Sequence, residues 1–272
     1  AVEFRLNNGA WTACAASDGA FDEDSEAYAC TISSLADGVY TAEVRATNRT
    51  GISSNPPYPA LTLIRDLNGP GGSVNINNSA SYTTSSTASL ALSASDTGSG
   101  VAAMRFSNDN LTWCNWETYA ASKSWPMTSG EGSKTVYAQF KDLAGNLSAV
   151  YNDTIILDTG APSGAISANS GALYTTTTSV NLALTASDTH SGVALMRFSN
   201  DALTWSSWEA YTASKTWGLA SGDGSKTIYG QFKDGAGNIS AVTTASIALD
   251  ASAPTGSMNI NGSAAITNNA GG

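Results

Sequence analysis

The chain has few charges, one histidine, three cysteines and no long apolar run. Only 12% of its 272 residues are charged, and the net charge is −10. Such a balance offers no basic surface to nucleic acid or to an anionic membrane, and it leaves room for cations. No stretch reaches the roughly 18 apolar residues that a membrane-spanning helix needs. The single histidine, His190, leaves little material for histidine-based catalysis. None of the cysteines has zinc or haem spacing. No segment shows a sustained helical period. The first residues, Ala1-Val2-Glu3-Phe4-Arg5, already alternate like a strand, so the chain reads as an internal or processed piece of something longer.

Hydrophobic residues are present in quantity, at 42%, which is enough to pack a core. With so little charge, the surface must be mostly Ser, Thr, Asn and Gly.

One short stretch looks catalytic. Residues 94–101 read ASDTGSGV, and Asp96-Thr97-Gly98-Ser99 resembles the active loop of an aspartic protease. That chemistry needs two carboxylates sharing a proton, each on its own D-T/S-G turn. The chain repeats the stretch at 186–193 as ASDTHSGV, with His190 in place of Gly98. The glycine that shapes the protease turn is lost, while the surrounding frame is kept. The stretch is therefore read as a scaffold turn, and no enzyme is expected.

The repeat organises the whole chain. SVNINNSASYTT at 73–84 returns as AISANSGALYTT at 165–176, and MRFSNDNLTWCNWETY at 104–119 as MRFSNDALTWSSWEAY at 196–211. GSKTVYAQFKDLAGNLSAV at 132–150 returns as GSKTIYGQFKDGAGNISAV at 224–242. Every match keeps an offset of 92 residues without a gap. Within a unit the apolar positions have period two, as in Leu90, Leu92 and Ala94 or Val136, Ala138 and Phe140. Strands are predicted near 73–84, 88–95, 101–108, 112–120, 122–128, 133–141 and 147–157, and again 92 residues later. Seven short strands per unit predict an all-β chain of tandem antiparallel β-sandwiches. The units are 1–66, which starts at the third strand, then 67–158 and 159–250. Residues 251–272 carry the first strand of a further unit.

The motifs SGV…MRFSND…TW…W…SK-x-W, QFKD-x-AGN and the LD-x-x-AP linker resemble the immunoglobulin-like or fibronectin-type-III-like repeats of large bacterial or archaeal secreted surface proteins. The resemblance implies a spacer, stalk or adhesive arm at a cell surface or along an extracellular fibre. The expected partners are neighbouring modules, with other copies in a fibre or a surface glycan beside them. Three such modules in line would reach about 100 Å. The first unit departs from the pattern at Asn48, where the others have Asp, and at Gly51-Ile52.

Four sets of residues invite a site. In a sandwich of this kind the loops after the second and sixth strands lie at one end, where the incoming linker should also arrive. Asp66, Asp96 and Asp142 occupy those places in one unit, and Asp158, Asp188 and Asp234 in the next. Hard oxygen ligands from three segments suit calcium; aspartates also cap tight turns unaided. Cys14 and Cys30 bracket the loop GAFDEDSEAY, either as a disulfide that would imply an oxidising setting or as two buried thiols. Cys114 is replaced by Ser206 one repeat on, so the architecture does not need it. Trp113 and Trp116 recur as Trp205 and Trp208. Read as one strand, they would face opposite sides, one in the core and one free to stack on sugar. Finally, glycosylation sequons stand at Asn48, Asn77, Asn110, Asn146, Asn152, Asn238 and Asn261.

The first unit lacks its first two strands, so Phe4, Trp11, Tyr40 and Val44 are expected to lie open. Either the parent chain supplies the missing strands upstream, or the tail 255–268 of a neighbouring copy adds one.

Overall fold

A computed structural model describes residues 1–17, 19–20, 27–54 and 58–258. The chain divides into two compact units, Ala1–Leu157 and Asp158–Gly272.

The second repeat is a complete two-sheet sandwich. Its strands follow β1 to β6 of the first repeat and are numbered on from them. They are β7 (Gly71–Ile76), β8 (Tyr82–Thr83), β9 (Thr87–Ser95), β10 (Val101–Ser107), β11 (Glu117–Thr118), β12 (Ser122–Pro126), β13 (Gly132–Asp142) and β14 (Tyr151–Leu157). One sheet has the order β12-β9-β7 and the other β11-β10-β13-β14-β8. The alternation read from the sequence is the packing pattern. Ala88, Leu90 and Leu92 of β9 face inward onto Met104 and Phe106 of β10 and onto Val136, Ala138 and Phe140 of β13. β7 approaches so closely that a Cβ on Gly72 would lie 2.6 Å from the Phe140 ring and 2.7 Å from the Ser93 carbonyl oxygen. Only glycine fits there.

Two strands differ from the sequence reading. The stretch 73–84 is not one strand but two, in different sheets. Asn77, Asn78 and Ser79 all have positive φ (47°, 55° and 63°), which turns the chain out of the first sheet. The Asn77 side chain holds that turn by accepting the Ser89 amide at 2.8 Å. β8 then pairs in parallel with β14. The stretch 112–120 is mostly loop, with only Glu117–Thr118 paired to β10.

The third repeat copies this plan with β15 (Ser163–Ala168), β16 (Tyr174–Thr175), β17 (Ser179–Ser187), β18 (Val193–Ser199), β19 (Glu209–Ala210), β20 (Ser214–Gly218), β21 (Gly224–Asp234) and β22 (Thr243–Leu249). Its sheets are β15-β17-β20 and β16-β22-β21-β18-β19.

The first repeat has β1 (Val2–Leu6), β2 (Thr12–Ala13), β3 (Ala15–Ala16), β4 (Tyr28–Ala29), β5 (Gly38–Ala46) and β6 (Leu61–Arg65). Its main sheet is β2-β1-β5-β6, and the described residues supply no counterpart of β7 and β9. Leu61, which pairs with Ala42 on the core side, is accordingly exposed, while Val39 and Ile64 are exposed on the opposite face. Phe4 is not left open as expected. It is buried, because the Cys14–Cys30 pair and Ile32 pack over it with Val2 and Val44. Trp11, Tyr40 and Val44 are half-buried. Strand addition by the tail 255–268 falls almost wholly outside the described residues, which end at 258.

A turn repeated in both complete modules carries a pH signature. The Thr112 and Leu111 amides and the Ser107 hydroxyl all donate to Asp109 and hold its carboxyl down at about 2. Asp201 is held at about 2 by the Thr204 and Leu203 amides and the Ser199 hydroxyl. A depressed folded pKa stabilises above the unfolded value, near 3.9, and that stability is lost as pH falls toward 2. The double variant Asp109→Asn/Asp201→Asn should therefore flatten the melting temperature between about pH 4 and pH 2. An unchanged acid slope on thermal melting would count against this assignment.

Candidate functional site

The two aspartate sets come together. In each of them, Asp66/Asp96/Asp142 and Asp158/Asp188/Asp234, one oxygen per carboxylate lies within 4.8 Å of the others. Asp66 follows β6, Asp96 follows β9, and Asp142 ends β13. Asp66, Asp142, Asp158 and Asp234 are buried, with Asp158 fully so.

Each carboxylate is fixed by loop amides. Asp96 Oδ1 accepts the Gly98 and Gly100 amides at 3.1 and 2.7 Å. Asp66 Oδ2 accepts the Ser99 amide at 2.8 Å and the Ser99 hydroxyl at 2.6 Å. Asn146 closes the ring: its amide reaches Asp142 Oδ1 at 2.8 Å, and its Nδ2 donates to Asp142 Oδ2 and to the Asp66 carbonyl at 2.9 and 3.1 Å. In the third repeat Asn238 does the same for Asp234 and Asp158 at 2.8, 2.8 and 3.0 Å. The protease-like tetrads are thus capped turns. His190 donates its amide to Asp188 Oδ1 at 3.1 Å, as Gly98 does to Asp96.

These bonds favour ionised carboxylates. The Ser99 hydroxyl, aided by the Ser99 and Asn68 amides, holds Asp66 below the usual range against the effect of burial. Burial acts to raise Asp188, but the Gly192, His190 and Ser191 amides outweigh it and the net shift is downward. Gathering three carboxylates this closely crowds like charges, and the donor set is all hard oxygen.

No protein-family description and no curated protein matches the chain. Solved structures do resemble it. One is the fibronectin(III)-like modules of Clostridium thermocellum CbhA, with TM-score 0.42, 13% identity, 69% of this chain covered and 100% of that one. Another is a tetra-tandem repeat from the extending region of a large adhesion protein, with TM-score 0.30, 19% identity and coverage of 92% and 66%. A third belongs to a 1.5-MDa bacterial ice-binding adhesin, with TM-score 0.34, 16% identity and coverage of 79% and 74%. The strand order within each complete repeat makes this chain a tandem array of immunoglobulin-like β-sandwich modules.

The tryptophans do not lie as the sequence suggested. Residues 112–116 form a loop, so the two-residue alternation of a strand does not apply. Trp113 and Trp116 both stack on Arg105, whose Cζ lies 4.7 and 4.6 Å from the ring centres. Lys141 Nζ is 4.6 Å from the Trp116 ring. Trp205 and Trp208 stack on Arg197 at 4.7 and 4.5 Å, with Lys233 4.6 Å from Trp208. Neither member of either pair fills the core. That role falls to Trp125 and Trp217, 5.3 and 5.6 Å from Phe106 and Phe198.

Cys14 and Cys30 are bonded, with Cα atoms 4.4 Å apart. Cys114 is a free thiol whose Sγ accepts the Phe106 amide at 3.2 Å. Ser206 Oγ takes the Phe198 amide in the same way at 3.0 Å, which explains why the position holds either residue. Of the sequons, Asn48, Asn77, Asn146 and Asn238 spend their side chains on turn bonds, Asn110 and Asn152 are exposed, and Asn261 lies outside the described residues.

Two features escaped the sequence reading. An acidic residue just before the sixth-position strand grips the outgoing linker. Asp37 accepts from Asn68 Nδ2 at 2.5 Å, and Asp223 accepts the Ala251 amide at 2.9 Å. The G-[ED]-G at 130–132 and 222–224 was the available signal for Asp223, whereas Asp37 stands in Ala36-Asp37-Gly38. The other is the Arg–Gln pairing across β10 and β13, which only the strand register discloses.

Proposed function

We propose that the chain is a spacer segment of an extracellular protein, and that each aspartate triad holds one calcium ion at the entrance to its module. One observation carries the reading. Asp66, the residue that leaves β6, is buried among the loops of the following module, while Asn68 beside it is bound to Asp37 of the preceding one. The linker is thereby gripped from both ends, which serves a segment whose task is to hold distance. Asp158 is bonded likewise to Ser191, two loops on in its own module. The disulfide supports an oxidising, extracellular setting. Calcium would neutralise the clustered carboxylates through hard oxygen ligands.

Small-angle scattering tests the spacer role. A single compact domain of this length would have a radius of gyration of about 19 Å. Modules in line, reaching about 100 Å, would give about 30 Å. A value near 19 Å in calcium-containing buffer would sink the spacer reading.

A further inference from the structure

The three repeats differ in charge at one place on the sheet, and the difference has a direction. In the first repeat, Arg5 of β1 faces Glu43 of β5, and Glu3 faces Arg45. Both pairs are closed salt bridges, at 2.6 and 2.8 Å, and both guanidinium groups lie over Trp11. The patch is therefore neutral.

The turn bridges Thr47–Ser53 and Lys141–Leu147 align the repeats, so the place of Glu3–Arg45 is taken by Arg105–Gln139 and that of Arg5–Glu43 by Ser107–Tyr137. Lys141 stands opposite Ala103, in the place of Thr47. The third repeat matches, with Arg197–Gln231, Ser199–Tyr229 and Lys233 opposite Leu195. In both later repeats these positions carry two cations and no carboxylate. Among the described residues no carboxylate is ion-paired with Arg105, Lys141, Arg197 or Lys233. In a chain of net charge −10 with only 12 basic residues, two unpaired cations per module on one stripe need a reason.

The stripe is also held rigid. Gln139 Oε1 accepts Arg105 Nε and Nη2 at 3.0 and 2.6 Å, and its own Nε2 is anchored on the Ser148 carbonyl at 3.1 Å. The third repeat copies these bonds at 3.0, 2.6 and 3.3 Å. Among the described residues, arginine Nη1 and the lysine ammonium make no hydrogen bond, and both cations lie against half-buried indole rings. Pre-ordered cations next to aromatic surface suit a ring-shaped anion.

We propose that this face, on β10 and β13 and again on β18 and β21, docks a carboxylated polysaccharide, one uronate carboxylate meeting each Arg–Lys pair. Nucleic acid, with about one charge per 1.7 Å of duplex, would be repelled by the acidic remainder of the chain more strongly than a polyuronate with one charge per sugar. Two copies of the patch on one chain strengthen binding to a repeating polymer through effective concentration. The inference uses the extracellular setting proposed above but neither the spacer role nor calcium, so each can fail alone.

The test is titration of the full chain with polygalacturonate in chelator-containing buffer, followed by calorimetry. Methyl-esterified polygalacturonate, with the same backbone and no charge, is the control, and a sulfated glycan is the second comparison. The decisive variant is Gln139→Glu/Gln231→Glu, which sets a carboxylate across the strands from each arginine, as Glu43 is set across from Arg5. We expect saturable binding of polygalacturonate, at least tenfold weaker binding of the esterified polymer and of the double variant, and no change in Lys226→Gln, whose cation sits elsewhere. If the double variant misfolds, Lys141→Gln/Lys233→Gln serves in its place with the same expected loss. Absence of binding, equal binding of the esterified polymer, binding of the sulfated glycan alone, or undiminished binding by the variants would overturn the proposal.

Discussion

Phe140→Ala is expected to destabilise the second module by about 3–5 kcal/mol, a large share of the 5–15 kcal/mol typical of a domain. The ring has no solvent exposure. Its centre lies 5.9 Å from that of Tyr119, edge-on at 79°, and 6.0 Å from that of Tyr151. Gly72 of the opposite sheet rests directly on it, so the cavity left by truncation sits where the two sheets meet. Main-chain atoms line that cavity on one side and cannot swing in to fill it. For a module of this size the loss corresponds to a fall in melting temperature of more than about 12 °C. Phe232→Ala should act similarly on the other compact unit, where Tyr211 stands 5.9 Å from the ring and Gly164 presses on it. Calorimetry of each variant should show one transition lowered. A shift below about 5 °C for Phe140→Ala would mean that the sheets do not close over this ring.

Much of this arrangement is legible in the sequence, for a physical reason. A sandwich with one wet face writes a two-residue period into each strand, and Val136, Ala138 and Phe140 are the inward positions that period names. The gapless offset of 92 turns one weak pattern into two agreeing ones, and it picks out the aspartates that the structure brings together. What stayed hidden depends on contacts distant in sequence or on backbone states with no marker. The break after Ile76 uses Asn and Ser at positive φ rather than Gly or Pro. The parallel pairing of β8 with β14 rests on residues more than seventy positions apart. Trp113 and Trp116 share a face because their segment is a loop wrapped round Arg105, and spacing alone treats it as a strand. Phe4 is covered by a disulfide-pinned segment with no equivalent in the other repeats.

Calcium at about a hundred times its dissociation constant should stabilise each complete module by about 2.7 kcal/mol, and so raise its melting temperature by roughly 10–20 °C. The competing account is that the aspartates only cap turns, and the first repeat shows how to separate the two. There Asn48 stands in the place of Asp142, and its neutral Oδ1 accepts the Thr50 and Ile52 amides at 3.0 and 2.9 Å. An amide oxygen therefore suffices for the turn. Asp142→Asn should keep the Asn146 amide bond that Asp142 Oδ1 now accepts, while removing one of the three charges. The new amide nitrogen takes the place of Asp142 Oδ2, which accepts Asn146 Nδ2, so that bond is lost whatever the metal does. Under turn-capping alone, the variant therefore melts lower than the parent by the same amount with and without calcium. Under metal binding, it also loses most of the calcium-dependent rise. Asp234→Asn should behave the same way in the other unit, where the Asn238 amide reaches Asp234 at 2.8 Å. Differential scanning calorimetry in chelator and in millimolar calcium reads all of these. If the parent chain shifts by less than about 2 °C on adding calcium, the triads are turn caps and the metal reading fails.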